Sequence, residues 1–212
     1  GDQPEFIDPF NGLQDLGAKI LRTPVRAGDS FNDDPLRMMR AARFASQLEF
    51  EIAPEVLTSM SDLAHRISII SAERVRDEFT KIMMSANPRI GITILVDTGL
   101  ADIVLPEIPK LRLEVDEHHH HKDVYEHSIT VLEQAIELEA RLGGPNLVIR
   151  IAALLHDIGK PKTRAFIEGG GVSFHHHEVV GARLVKKRLQ ALRFDNETID
   201  AVELLTMLHL RF

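Results

Sequence analysis

A predominantly α fold is predicted for this 212-residue chain by three observations. From residue 34 onward, apolar side chains recur at helical spacing behind recognisable start signals: Asp34-Pro35, Ser71 with Glu73, and Pro88. Leu147 to Leu155 is apolar nearly all round except at Arg150, as in a buried helix. Short β-like runs occur only within the first 24 residues.

Taken in order, Phe6-Ile7-Asp8 reads as a short β-like run, Asn11-Gly12 as a turn, and Ala18 to Thr23 as a second run. Asp34 at the N-cap and Pro35 at the first helical position start a helix carrying Leu36, Met39, Ala42, Phe44 and Leu48. A second helix starts near Pro54. Ser71 caps a third, with Val75, Phe79, Ile82 and Met83 inside, and Pro88 opens a fourth that ends near Gly99. Pro106 and Pro109 mark a module boundary, dividing residues 1–105 from 106–212.

The second module opens on a polar, His-rich stretch. Its first helix is expected from about Lys122 to Leu142, with an apolar stripe of Val124, Val131, Ala135 and Leu138. Gly143-Gly144 ends it. Pro145 or Asn146 starts the buried helix, for which Gly159 is the expected C-cap. A loop holding Gly169-Gly170-Gly171 follows, then helices from about His176 to Leu192 and from Asn196 onward. There is no internal repeat.

Composition removes several function classes. With no cysteine, disulfide scaffolds, Cys₄ zinc sites and thiol catalysis are excluded. No apolar run approaches the ~18 residues of a membrane span. No signal or transit peptide is evident, and a reducing, cytoplasmic setting fits. The net charge of −7 argues against broad electrostatic coating of nucleic acid, though not against a local basic face. Both ends look cut, so the chain reads as an internal piece of a longer protein. Histidine is over-used: 11 residues, ten of them between His118 and His209.

Four helices each place one histidine on an inward face: His127, His156, His177 and His209, with Asp157 adjoining His156. An imidazole and a carboxylate in an apolar helix are costly unless paired or coordinated. A single inward histidine reads best as a hydrogen-bonded core residue. Four with an aspartate read better as ligands of a divalent transition metal. Such a site lowers the pKa of bound water and suits phosphoester hydrolysis. Lys160, just past the helix, could hold a substrate phosphate. His118 to His120 read as a solvated loop and His175 and His176 as surface residues. His121, six residues before His127, is a lesser candidate for the site.

The pattern of His127, then His156-Asp157-Ile158-Gly159-Lys160, then His177-Glu178 ahead of Gly181-Ala182, resembles the HD superfamily of metal-dependent phosphohydrolases. That family's pattern adds an aspartate on a later helix. Asp8-Pro9-Phe10-Asn11-Gly12-Leu13-Gln14-Asp15-Leu16 is similar to the DPFGGxxDL segment of bacterial class II tRNA nucleotidyltransferases and poly(A) polymerases. Asp33-Asp34-Pro35-Leu36-Arg37 resembles their ED-x-x-R motif, with Asp33 in place of Glu. Arg40-Ala41-Ala42-Arg43-Phe44 and Ile70-Ser71-Ala72-Glu73-Arg74 resemble two further neck signatures. The resemblance implies a helical neck, residues 1–105, followed by an all-α HD-type domain, residues 106–212.

It also implies a nucleotide-selecting role for Asp34 and Arg37, whose acceptor and donors can mimic a base edge. Arg40 and Arg43 would lie near triphosphate or RNA phosphate. Glu73 and Arg74 would brace the neck. Asp34 is independently explained as a helix cap, and Arg37 as a surface helix residue. The implied partners are the tRNA 3′ end or other RNA, with CTP and ATP. The implied cofactors are Mg for a polymerase head, and Ni, Co, Mn or Mg for the HD site. Nucleotidyl transfer needs paired carboxylates holding two metals. No such pair follows Gly28-Asp29-Ser30, and Asp195-Asn196-Glu197 does not supply it, so these 212 residues alone are expected to add no nucleotides. Arg183, Lys186, Lys187 and Arg188 could meet RNA backbone or form a solvated face. Two other readings stand beside this one: a stand-alone regulatory HD phosphohydrolase, and a non-catalytic tRNA-binding or dimerising scaffold with a vestigial metal site.

Overall fold

In a computed structural model, residues 7–113, 123–167 and 171–211 are described. The chain is helical throughout, with two short two-stranded pairings among the described residues. The N-terminal segment departs from the sequence reading. Ile7 and Asp8 are not a strand; both oxygens of Asp8 accept from the first amides of α1 (Gly12–Ala18), at 2.7 and 2.9 Å. A short acceptor side chain there satisfies amides that have no intrahelical partner. Ile20–Leu21 (β1) pairs in parallel with Glu51–Ile52 (β2), and α2 (Ala27–Asp33) stands between β1 and the first long helix.

Helix α3 (Leu36–Leu48) begins one residue later than predicted, with Pro35 at the N-cap position. Asp34 Oδ1 accepts from Leu36 N–H at 3.1 Å, and Leu36, Met38, Met39 and Ala42 are buried. Phe44 and Leu48 are exposed. Then come α4 (Pro54–Leu63), a 3₁₀ turn over 64–69, α5 (Ala72–Met83), α6 (Pro88–Asp97) and α7 (Leu100–Val104). Ser71 sits at the N-cap of α5, but its side chain makes no cap hydrogen bond. Gly91 lets α6 lie against α3, since a Cβ there would stand 2.4 Å from Ser46 Oγ.

The second module contains α8 (Val124–Leu138), α9 (Leu147–Leu155), the single turn α10 (Lys160–Thr163), α11 (His177–Ala191) and α12 (Asn196–Leu208). Asp123, Asn146 and Asp195 each cap their helix through a side-chain oxygen. Residues Ala165–Phe166 (β3) and Val172–Ser173 (β4) pair antiparallel on either side of the glycine-rich segment, of which residues 168–170 lie outside the described residues. The apolar face of α8 is rotated from the expected one. Val124, Tyr125, Ser128, Ile129 and Leu132 are buried, while Leu138 is exposed. The helix carries two apolar sets, and the one bearing the aromatic packs inward. His118 to His121 lie outside the described residues.

One apolar core runs through both modules, from Phe31 and Met39 through Phe79 and Leu95 to Ile151, Val185 and Val202. Arg150, the exception in the apolar α9, is 4% exposed. It holds Glu139 through two hydrogen bonds of 2.7 and 2.6 Å, and donates from one nitrogen to the carbonyls of Met83 (2.6 Å) and Ser85 (2.9 Å). Those carbonyls end α5, where the helix dipole favours a cation. Arg89 of α6 reaches α8, with Glu133 at 2.6 and 2.8 Å and Glu126 at 2.9 Å.

Candidate metal centre and neck cleft

Helix α9 delivers His156 and Asp157 just past its last turn, into the space between α8, α11 and α12. Gly159 does not end α9 as a left-handed cap; its φ is −76°. Its small size matters instead. A Cβ on Gly159 would lie 2.0 Å from the carbonyl oxygen of His177 and 2.7 Å from Gly181 N, so α11 packs directly on this segment. That contact brings His177 to Asp157.

The carboxylate of Asp157 is 1% exposed and stands at the centre. Its Oδ2 lies 3.1 Å from His156 Nε2 and 3.7 Å from His127 Nε2; its Oδ1 lies 3.3 Å from His177 Nε2 and 3.7 Å from His209 Nε2. Two trios therefore share one aspartate: His127, His156 and Asp157, and Asp157, His177 and His209. Three of the rings are fixed in the same way. His156, His177 and His209 each have Nδ1 within 2.7–2.8 Å of the carbonyl three residues back, at Ala153, Phe174 and Thr206. With Nδ1 turned to a carbonyl, Nε2 is the ring nitrogen that faces the centre, where it meets Asp157 and would give up its proton on binding a metal ion. His127 is the exposed member, on the solvent side of α8.

The electrostatics match a charged carboxylate. Burial alone would raise the Asp157 carboxyl, but hydrogen bonds from His156 and His177, and from Lys160, hold it well below the usual carboxylate range. Its hydrogen bond to Asp157 raises the His177 imidazole against the effect of burial, whereas burial pushes His209 down. Lys160 Nζ lies 2.6 Å from Asp157 Oδ2, so its ammonium is engaged with the carboxylate itself. Each trio offers imidazole nitrogens and a carboxylate oxygen within 4.8 Å of one another, a donor set that suits a divalent ion.

The neck residues gather around a second cleft, of about 500 Å³, lined in part by Arg22, Ser30, Phe31, Arg37, Arg40 and Phe44. Asp34 does not line the cleft: one of its oxygens accepts from Leu36 N–H and the other meets Arg74 at 3.1 Å. Arg37 donates to Ser30 Oγ at 2.9 Å. Arg43 is turned inward onto buried Glu78 at 2.9 Å, with Arg40 3.9 Å from the same carboxylate. Arg40 thus faces the cleft and Arg43 braces α3 against α5. Of the basic cluster on α11, Lys186 meets Glu203 at 2.7 Å, and Arg188 holds Glu107 at 2.8 and 3.0 Å.

Sequence reasoning passed over Glu78 and Glu139. Arg150 was legible as the one charge in an apolar helix, and a buried partner for it was the inference available. The three ring-fixing carbonyls are backbone groups and leave no side-chain signal.

Residues 124–211 match the HD domain family, and residues 49–111 match the family described as "Probable RNA and SrmB- binding site of polymerase A". The chain is 35% identical over 211 residues to the A-adding tRNA nucleotidyltransferase of Deinococcus radiodurans, covering 97% of this chain and 48% of that protein. It is 35% identical over 213 residues to a multifunctional CCA protein of Neisseria meningitidis serogroup A, covering 98% and 48%. The chain thus spans about half the length of the curated relatives it matches. A CCA-adding enzyme of Thermotoga maritima, solved with tRNA, superposes with a TM-score of 0.59 at 20% identity, over 97% of this chain and 44% of that one. A CCA-adding enzyme solved with CTP gives 0.60 at 19%, over 97% and 42%.

Proposed function

We propose that this chain, the neck and HD portion of a protein of the tRNA nucleotidyltransferase and poly(A) polymerase family, combines a nucleotide- and RNA-binding neck with a metal-dependent phosphohydrolase centre. The observation that carries the hydrolase reading is the convergence of four Nε2 atoms on the two oxygens of Asp157, three of the rings being fixed through Nδ1.

His127, His156, Asp157, His177 and His209 would hold the ion, which when bound supplies Lewis-acid activation of water at a phosphoester. The chain's own residues do the rest. The three carbonyl contacts keep each ring from rotating. The apolar packing of α9 and α11 keeps bulk water from the inner face of Asp157. Lys160 lies within reach of a phosphate oxygen beside the carboxylate it now meets. Nucleoside 2′,3′-cyclic phosphates and phosphomonoesters are the proposed substrates of this centre.

In the neck, Asp34 and Arg37 are proposed to read a nucleotide base, with Arg40 nearest its phosphates. The cleft that Arg37 and Arg40 line supports their part in this role. In the whole protein the substrates would be CTP or ATP and the 3′ end of tRNA or another RNA, making CCA or poly(A) tails. Hydrolysis of 2′,3′-cyclic AMP, screened with Ni²⁺, Co²⁺, Mn²⁺ and Mg²⁺ and with Asp157→Ala as control, tests the centre. Metal-dependent turnover lost in the variant is the expected result; no turnover with any metal would sink the hydrolase reading.

A further inference from the structure

The chain leaves the HD centre through α10 and enters the β3–β4 ribbon on a run of cations. Residues 160–167 carry Lys160, Lys162 and Arg164 and no acidic side chain, in a protein of net charge −7. Glu168, the next residue, lies outside the described residues. Lys160 is engaged with Asp157 at 2.6 Å, whereas Lys162 is exposed. Helix α10 also packs on the 3₁₀ turn Pro109–Leu111, which carries exposed Lys110. The acid before that turn, Glu107, is held by Arg188 at 2.8 and 3.0 Å. Arg164 has extended backbone, so it and Phe166 project from the same face of the strand. The guanidinium carbon of Arg164 stands 5.0 Å from the centre of the Phe166 ring. That ring is 66% exposed, and Ile167 beside it is 52% exposed. A two-residue pairing has no core of its own in which to bury them.

We propose that Lys162, Arg164 and Phe166, with Lys110 beside them, form a platform for single-stranded RNA on the HD module. None of these residues lines the neck cleft or belongs to the histidine trios, so the platform is separate from both and does not need the hydrolase reading. The cations suit a phosphate backbone, and the open ring suits an unstacked base, the combination by which single strands are held. A duplex keeps its base faces stacked and can meet the cations but not the ring. An apolar protein partner would cover Lys162 and Arg164 without a counter-charge, which is costly. A polyanion without bases would leave Phe166 and Ile167 wet. A strand of RNA satisfies the charge and the ring together. The basic face expected on α11 is a poorer candidate, because Lys186 is paired with Glu203 and Arg188 with Glu107.

Fluorescence anisotropy with oligo(U) ending in a 3′ hydroxyl, on the 212-residue protein without added metal, tests the platform apart from any hydrolysis. Phe166→Ala should weaken binding about tenfold, and Phe166→Trp should hold or tighten it. Lys162→Gln combined with Arg164→Gln should lower the slope of log K against log salt by about 1.4. A duplex of the same length should bind the parent protein about tenfold more weakly or worse. The neck is a second RNA surface under the proposed function, so a thiouridine-substituted oligo(U) locates the contact: ultraviolet cross-linking should leave an adduct in the tryptic peptide 165–183. No binding of oligo(U), affinity and salt slope unchanged in every variant, or adducts confined to the neck overturn the proposal. Equal binding of the duplex or of heparin overturns it too. Self-association of the parent protein in sedimentation, lost in Phe166→Ala while RNA affinity holds, would assign the ring to a second copy of the chain and also overturns it.

Discussion

Gly159 and His177 touch backbone to backbone: a Cβ on the glycine would stand 2.0 Å from the histidine's carbonyl oxygen. No rotamer change relieves that overlap, because both partners are main chain. Gly159→Ala should therefore push α11 away from Asp157. A stability loss of about 1–3 kcal/mol is expected from overpacking of this kind. The sharper sign is a weakened Co²⁺ titration with helix content unchanged. Retention of full metal affinity would show that the close approach does not set the site.

Asp157 belongs to both histidine trios, so its loss should differ from loss of a single ring. Outer-sphere changes in metal sites cost about 10–100-fold in affinity, and removal of the shared carboxylate should cost more. His127→Ala removes an exposed candidate ligand from one trio only, and residual binding is expected. Calorimetric titration with Ni²⁺ or Mn²⁺ compares the two.

Arg150 is expected to be the most expensive single deletion at the seam between modules. Arg150→Met strands Glu139 in the core and frees the carbonyls of Met83 and Ser85. Breaking a buried ion pair from one side costs about 3–5 kcal/mol. Adding Glu139→Leu should recover part of that and not all, since the two carbonyls stay unmet. Urea denaturation of the parent, single and double variants checks the order.

The same pair sets an acid limit. The hydrogen bond from Arg150 holds Glu139 below its ordinary value of 4.5, against the effect of burial. The folded state then binds fewer protons than the unfolded chain. The contribution is full above pH 4.5 and is lost as pH falls from there through the depressed folded value. Glu139→Gln should flatten stability against pH in that window. An unchanged slope would assign acid sensitivity to other carboxylates.

Asp34 carries two contacts that substitution can separate. Asp34→Ala loses both the cap on Leu36 N–H and the ion pair with Arg74, and about 0.5–2 kcal/mol is expected for the cap. Asp34→Asn keeps an acceptor for the cap. If Asp34 reads a base, the Asn variant should hold its melting temperature yet alter the preference between CTP and ATP, measured by equilibrium dialysis.

How much was legible depended on where the information sits. The long helices were legible because burial shapes their side chains: α5 carries a helical period, and α9 is apolar nearly all round. The starts expected at Pro145 or Asn146 and at Asn196 coincide with side-chain caps at Asn146 and Asp195. The convergence of His127, His156, His177 and His209 on Asp157 follows the inward positions expected for them, although His127 turns out to be exposed. Short features were not legible. Helices α1 and α2 have seven residues each, and two-residue strands such as β1 and β2 pair across some thirty residues of chain, too brief for any period. On α8 two apolar sets competed, and only packing decides between them. Gly159 was visible as a glycine, but its reason lies in a neighbour 18 residues away.

The seam at Arg150 has a consequence for recombination. Of its three partners, the two across the seam are main-chain carbonyls, at Met83 and Ser85. A carbonyl presents the same oxygen whatever side chain it carries. The guanidinium therefore recognises where α5 stops, not which residues stop it. Neck and HD halves taken from different relatives should join in a working chimera wherever that helix ends at the same point and the Arg–Glu pair travels with the HD half.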